Sequence, residues 1–286
     1  MSVVGYWLSE TPSIVGFRWN HAQSWGSTWS FVFSSIVLYF LLSLFLYLIL
    51  YIFNRQTPIP LGPIPAAHSL IMTLLSAIIF LGILLSSAAE IRDTRWFFRR
   101  YNTNPFQWFF CFPIGTRPTG RVFFWSYAFY ISRFVHLLKT FFLIMARPNK
   151  GFPASRIFNH SALIFMTFLW LEFTQSFQVM AILSNTLVYV VVYGYRFWIG
   201  IGLPAACFPI IFNCQIVLFA YHLLCHVGVL LLHLFSTGGC NGIGAWIFNS
   251  VLNAALLFLF VFSDDSQDWK HKRHQLTTKK KKAVKC

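Results

Sequence analysis

Seven apolar runs divide the chain: Trp29–Phe53, Ala66–Ala89, Val122–Met145, Ile157–Phe173, Phe177–Trp198, Phe208–Phe235 and Ile243–Phe262. A membrane crossing takes about 20 residues, with shorter spans tolerated, so each run is read as a transmembrane helix. Residues before Trp29 are polar and aromatic and form a short ordered or interfacial arm. Residues 1–263 are one seven-helix membrane domain of the all-α class, and residues 264–286 are a polybasic tail. The longest polar interval, Glu90–Arg121, carries six arginines beside aromatic residues, a pattern that suits an amphipathic interfacial helix in its first part.

Polar residues inside the apolar runs are the candidates for chemistry. Arg133, His136 and Lys139 follow at steps of three in the third run and share one helix face with Thr140. Asn159 and His160 open the fourth run, and Trp170 and Glu172 close it. An ionisable group at mid-bilayer costs about 2.5–3.5 kcal/mol on insertion scales, so such groups mark functional sites by default. Interhelical hydrogen bonding that only holds the bundle together is the competing use. Arg133 and Lys139 either form a lip that attracts anions or snorkel to headgroups; His136 between them is a candidate base. Glu172 is the sole carboxylate between Asp93 and Asp264 and sits where it could simply be interfacial.

The fifth run places Asn185, Tyr189 and Tyr193 on one face, four residues apart, with Arg196 below them. Tyrosines there either bond a substrate oxygen or pack against a neighbouring helix. The sixth run holds Gln215, and His222 and His226 stand one turn apart, the spacing of a two-histidine metal site. One such pair among nine scattered histidines does not make a di-iron centre, and no metal is expected.

Composition agrees with a membrane protein. Hydrophobic residues are 57% of 286 and charged residues 10%, with mean hydropathy +0.63. The net charge of +15 sits in loops and tail, which argues against a nucleic-acid surface and for cytosol or anionic lipid. The tail therefore places the C-terminus in the cytosol and, with seven crossings, the N-terminus in the lumen. The arginines of the Glu90–Arg121 loop argue the other way. The N-terminus lacks the pattern of a cleaved signal peptide. The six cysteines contain no CxxC, and no GxSxG, Walker or dinucleotide fingerprint occurs at a usable position.

In the order and spacing of these motifs, residues 60–265 resemble the ELO family of very-long-chain fatty acid elongases, closest to its plant ELO-like branch. The family's KxxExxDT motif falls on Arg133, His136, Lys139 and Thr140. Its HxxHH box falls on Arg156, Asn159 and His160, and its NxxxHxxMYxYY stretch on Asn185, Tyr189, Val192, Tyr193, Tyr195 and Arg196. Its LQxxQF stretch falls on Cys214, Gln215, Leu218 and Phe219. Only the last His of the box, His160, is kept, and the histidines to which the family's chemistry is assigned stand as Asn159 and Tyr189.

The resemblance implies a six-helix bundle enclosing an acyl tunnel, with a peripheral first helix. It implies an acyltransferase of the endoplasmic reticulum membrane, a 3-ketoacyl-CoA synthase that condenses acyl-CoA with malonyl-CoA and releases CO2. The implied catalytic set is His136, Asn159, His160 and Tyr189, and the implied substrate contacts are Arg133, Lys139, Arg156, Tyr193 and Gln215. CoA thioesters are substrates and no further cofactor is implied. Partners are membrane lipid, the reductases and dehydratase of the elongation cycle, and a second copy of the chain in a homo-oligomer. Cys111 and Cys240 fall where the family carries cysteines in two lumenal loops, which implies a disulfide and supports the tail-based orientation. The KKKKAVKC terminus departs from the dilysine retrieval pattern. The exchanged histidines leave a non-catalytic ELO-like subunit as the alternative; a seven-helix transporter or receptor is the third.

Overall fold

A chain crossing lipid must satisfy its backbone hydrogen bonds within itself, which apolar runs do by forming helices. The computed structural model does this throughout. The structure describes residues 3–53, 57–93, 105–147, 151–203, 208–235 and 239–262, with side chains left undescribed at 105–107, 208–216, 219 and 260–262. The polybasic tail and the arginine-rich segment 94–104 lie outside these residues.

The helices are α1 (Val3–Ser9), α2 (Pro12–Val15), α3 (Trp29–Ile52), α4 (Ile64–Asp93), α5 (Pro105–Phe110), α6 (Arg121–Ala146), α7 (Ala154–Glu172), α8 (Gln178–Gly200), α9 (Phe208–Phe235) and α10 (Ile243–Phe262). By length and composition α3, α4, α6 and α8 are able to cross a membrane; shorter apolar stretches, 220–235 and 243–259, lie within α9 and α10. The least apolar long helix is α7, which carries Asn159 and His160 in its first two turns. Outward-facing Phe33, Phe45, Val217, Leu224, Val251 and Phe258 remain exposed, as side chains in contact with lipid would be. The chain is an all-helical, multi-pass membrane protein.

Six long helices close a ring in which α4 packs on α8, α8 on α9, α9 on α10, α10 on α7, α7 on α6, and α6 back on α4. Helix α3 stands outside it against α6 and α7, capped by Thr28, whose hydroxyl accepts from Phe31 N–H at 3.3 Å. The Tyr39 hydroxyl donates to Thr140 Oγ1 at 2.6 Å and ties this outer helix to α6. Gly82 lets α4 approach α6 closely, because a Cβ there would overlap the Trp125 ring.

One end of the ring is tied by long-range bonds. Cys111 and Cys240 form a disulfide with Cα atoms 5.0 Å apart. Asn241 N–H donates to Phe112 O at 2.8 Å, and the Ser176 hydroxyl donates to Asn241 O at 2.9 Å. Gly242 allows this approach, since a Cβ would lie 2.6 Å from Phe173 O. The N-terminal arm folds over the same end. Arg121 joins Glu10 at 2.9 Å and Asp93 at 2.7 Å, and Trp125 Nε1–H donates to Leu8 O at 2.9 Å. Glu172 is therefore not a free interfacial carboxylate: it accepts from Trp19 Nε1–H at 3.0 Å and meets His21 Nε2 at 3.1 Å.

Candidate functional site

The ring encloses a cavity bounded by α6, α7, α8, α9 and α10. On α7 its wall runs from Asn159 to Trp170 and on α8 from Ala181 to Tyr193. At 1.5 Å per residue these stretches are about 16–18 Å long. The cavity volume is about 110 Å³, so the space is a narrow seam rather than a chamber. Its middle is lined by Leu163, Met166, Val188 and Leu218 with Asn185 as the one amide among them, and both ends are polar.

The first end gathers His136, Lys139, Asn159, His160, Tyr189 and Tyr193. The steps of three and four along α6, α7 and α8 aim these side chains inward together. His136 Nδ1 and the Tyr193 hydroxyl are 2.8 Å apart. The His136 ring lies 4.9 Å from Tyr189 and 6.5 Å from His160, centre to centre. His136 Nε2 is buried without a hydrogen-bond partner among the described residues.

Arg133 takes neither of the positions expected from sequence. It is 2% exposed, so it forms no lip and does not snorkel. Its guanidinium lies 4.0 Å from the Phe129 ring centre and 4.7 Å from that of Tyr189. Arg133 Nε–H donates to Phe129 O at 3.3 Å and Nη2–H to Ser132 Oγ at 2.9 Å, while Nη1 has no partner among the described residues. The reason is that aromatic rings solvate it from inside the bundle, which a helix-face reading of α6 alone does not reveal.

Lys139 and Arg196 both face Tyr193, each 5.6 Å from the ring centre. His160 lies within the field of Lys139, Arg133, Arg156 and Arg196. No described carboxylate shares this end: Glu10, Asp93 and Glu172 are bonded at the disulfide end, and Glu90 is one turn before Asp93. Gln215 lies on α9, and its side chain falls outside the described residues.

The second end contains His222, His226, Asn253, Trp170 and Phe177. Sequence reasoning noted the histidine pair only as a weak metal motif. Among the described residues no three His, Cys, Asp or Glu side chains come together to hold a metal. His222 instead meets Ser184 at 2.9 Å, and His226 meets Ser250 at 2.9 Å and Asn253 at 3.1 Å. The available signal was Asn249 and Asn253, one turn apart on a charge-free helix.

Residues 24–263 match the ELO family, described as the GNS1/SUR4 family, and so contain the whole ring and both ends of the cavity. The chain belongs to the ELO family. It is 58% identical to Fatty acid elongase 3-like of Arabidopsis thaliana over 261 residues, covering 90% of this chain and 89% of that one. It is 24% identical to Fatty acid elongase sre1 of Dictyostelium discoideum over 220 residues, 76% of each chain. No solved structure matches it. Within the matched residues, Asn159 and His160 face Tyr189 and His136 across one cavity end. Arg133 lies behind that wall.

Proposed function

We propose that this ELO protein condenses an acyl-CoA with malonyl-CoA to give a 3-ketoacyl-CoA, CO2 and free CoA. The observation that carries the proposal is the first cavity end, where His136 Nε2, buried without a partner among the described residues, lies beside the positive charge of Lys139 and Arg196 on the Tyr193 ring. Both substrates supply anions, the CoA phosphates and the malonyl carboxylate, which basic side chains attract. Lys139, Arg156 and Arg196 attract them, and the apolar seam beyond takes the acyl chain by displacing Met166 and Leu218.

The Tyr193 hydroxyl has no other acceptor among the described residues, so it donates to His136 Nδ1. The imidazole proton then sits on Nε2, a buried donor with nothing to meet. Arg133 Nη1–H is a second such donor, and both groups pack on Tyr189. Loss of CO2 from the malonyl group leaves an enolate, and that enolate attacks the acyl carbonyl. His136 Nε2–H, in the cavity wall, stabilises the oxygen on which negative charge develops, and Arg133 behind it adds positive charge; one such donor contributes about 10²–10³ in rate in comparable sites. His160 is the imidazole placed to accept the acyl group and release CoA, with Asn159 as an amide donor beside it and Tyr189 as the proton source. The condensation draws its driving force from decarboxylation and calls for no resident cofactor. The polybasic tail and the disulfide support an endoplasmic reticulum membrane location, with the cationic end cytosolic and the Cys111–Cys240 end in the oxidising lumen. Reductases and a dehydratase then complete the cycle.

The exchange of two family histidines for Asn159 and Tyr189 favours a second reading, a subunit that binds acyl-CoA without turning it over. Purified protein, acyl-CoAs of graded length and malonyl-CoA separate the two. Condensation predicts 3-ketoacyl-CoA from the native chain and its loss in His160→Ala. Binding without product, together with activity appearing in an Asn159→His, Tyr189→His double variant, establishes the second reading instead.

A further inference from the structure

The second cavity end is the wrong chemistry for a plain hydrocarbon terminus. A methyl group needs no hydrogen bond, yet His222 and Asn253 wall that end and are 6% and 8% exposed. Buried polar groups without partners are unfavourable, so the partners present have to be traced atom by atom.

The Ser184 hydroxyl donates to Met180 O at 2.8 Å and therefore accepts from His222 Nε2–H at 2.9 Å. With the Ser184 hydroxyl bonded within its own helix, the matching His222 tautomer carries its proton on Nε2 and leaves Nδ1 as an acceptor. The Ser250 hydroxyl donates to Trp246 O at 2.7 Å and accepts from His226 Nδ1–H at 2.9 Å. His226 Nε2 accepts from the Asn253 amide at 3.1 Å. His226 is thereby fully used. Left over on His222 and Asn253 are His222 Nδ1, the Asn253 carbonyl oxygen and the second Asn253 N–H, two acceptors and one donor, with the Asn185 carbonyl oxygen and second N–H further along the same wall. A hydroxyl group donates to one of the two acceptors and accepts from the Asn253 N–H, leaving one acceptor over; a carboxylate, an acceptor only, faces both acceptors and does not fit.

The frame around these groups is held by strain. Phe177 has φ 79°, a left-handed conformation that bulky residues rarely adopt. Its ring is held 5.6 Å from His222 and 4.9 Å from His226, centre to centre. Strain of this kind persists where the surroundings over-determine a ligand-facing geometry.

We infer that the second end binds a hydroxyl at the far end of the acyl chain, and that the protein selects ω-hydroxylated acyl-CoAs over unsubstituted ones. This rests on the condensation reading for its orientation, with the thioester at the His136 end. The ends are about 16–18 Å apart along the helices. A staggered chain with bonds of about 1.52 Å at about 111° advances about 1.25 Å per carbon, so the hydroxyl lies about 13–14 carbons from the thioester. A site built to bond a hydroxyl discriminates strongly against the analogue lacking it.

The test uses the full-length protein and two acyl-CoAs of about 14 carbons, identical except for an ω-hydroxyl. Binding is read by displacement of a fluorescent acyl-CoA, and turnover by 3-ketoacyl-CoA release. The expected result is preference for the hydroxylated chain by about tenfold or more in both readouts. Asn253→Leu and His222→Phe, each apolar and helix-compatible, are expected to bring that ratio to about one or below. Preference in binding with no turnover of either chain keeps the inference and removes the condensation reading. Equal or weaker binding of the hydroxylated chain by the native protein overturns the inference. A preference that survives in both variants removes it from this end, and failure of both chains to bind overturns it together with the acyl-CoA reading.

Discussion

The two ends of the helix ring use their charges in opposite ways. At the disulfide end every described carboxylate has basic or aromatic company: Arg121 bridges Glu10 and Asp93, and Trp19 and His21 hold Glu172. At the other end Arg133 is buried among aromatic rings with a donor to spare, and the nearest charges are more cations. Charge at the disulfide end is satisfied internally and fastens the arm to the ring. Charge at the His136 end is met by aromatic rings and by no described carboxylate, an arrangement suited to an anion from outside. The difference separates a structural use of charge from a binding use without reference to any relative.

The largest expected effect falls on the unsatisfied end. His136→Leu removes one of the two orphan donors and is expected to lower kcat about 10²–10³-fold in a 3-ketoacyl-CoA assay, with thermal stability retained. Next is the tie at the other end. The disulfide spans 129 residues, and Cys111→Ser is expected to lose about 2–4 kcal/mol, read as a fall in Tm that reductant reproduces in the native chain. Activity of the folded fraction at low temperature should be unchanged.

A matched pair of substitutions sharpens the comparison. Arg121→Met strands Glu10 and Asp93 and is expected to cost about 1.5–3 kcal/mol by thermal unfolding. Arg133→Met strands no carboxylate, so its Tm should hold or rise while turnover falls. Equal destabilisation of both variants would erase the distinction between the ends. The smallest effect is expected for Arg156→Gln at the cationic end: a few-fold rise in KM for acyl-CoA, little change in kcat, and weaker salt dependence of kcat/KM.

Much of this architecture was legible because apolar runs and charge-free stretches report directly on helices buried in lipid. The charge-free run Ile243–Phe262, for instance, is helical over its whole length. His136, Asn159, His160 and Tyr189 were singled out by chemistry and motif order, and they do line one cavity. What could not be read is what meets what across the ring. Glu172 does stand at the end of its helix, but its partner Trp19 is 153 residues away, and no local periodicity encodes such a contact. Arg133 looked like a rim residue because a helix face says nothing about the aromatic rings that α8 brings against it. Ser184, Ser250 and Phe177 passed unnoticed, since serines and a phenylalanine in apolar helices look alike whether they face lipid, a neighbouring helix or a cavity.

The central claim is that the unsatisfied end performs a condensation. The direct measurement is release of 3-ketoacyl-CoA and CO2 by the purified full-length protein from malonyl-CoA and acyl-CoAs, with His136→Leu in parallel. The account predicts product from the native chain, CO2 in equal amount, and loss of both in the variant. Bound acyl-CoA without product from the native chain, or undiminished product from His136→Leu, would contradict it.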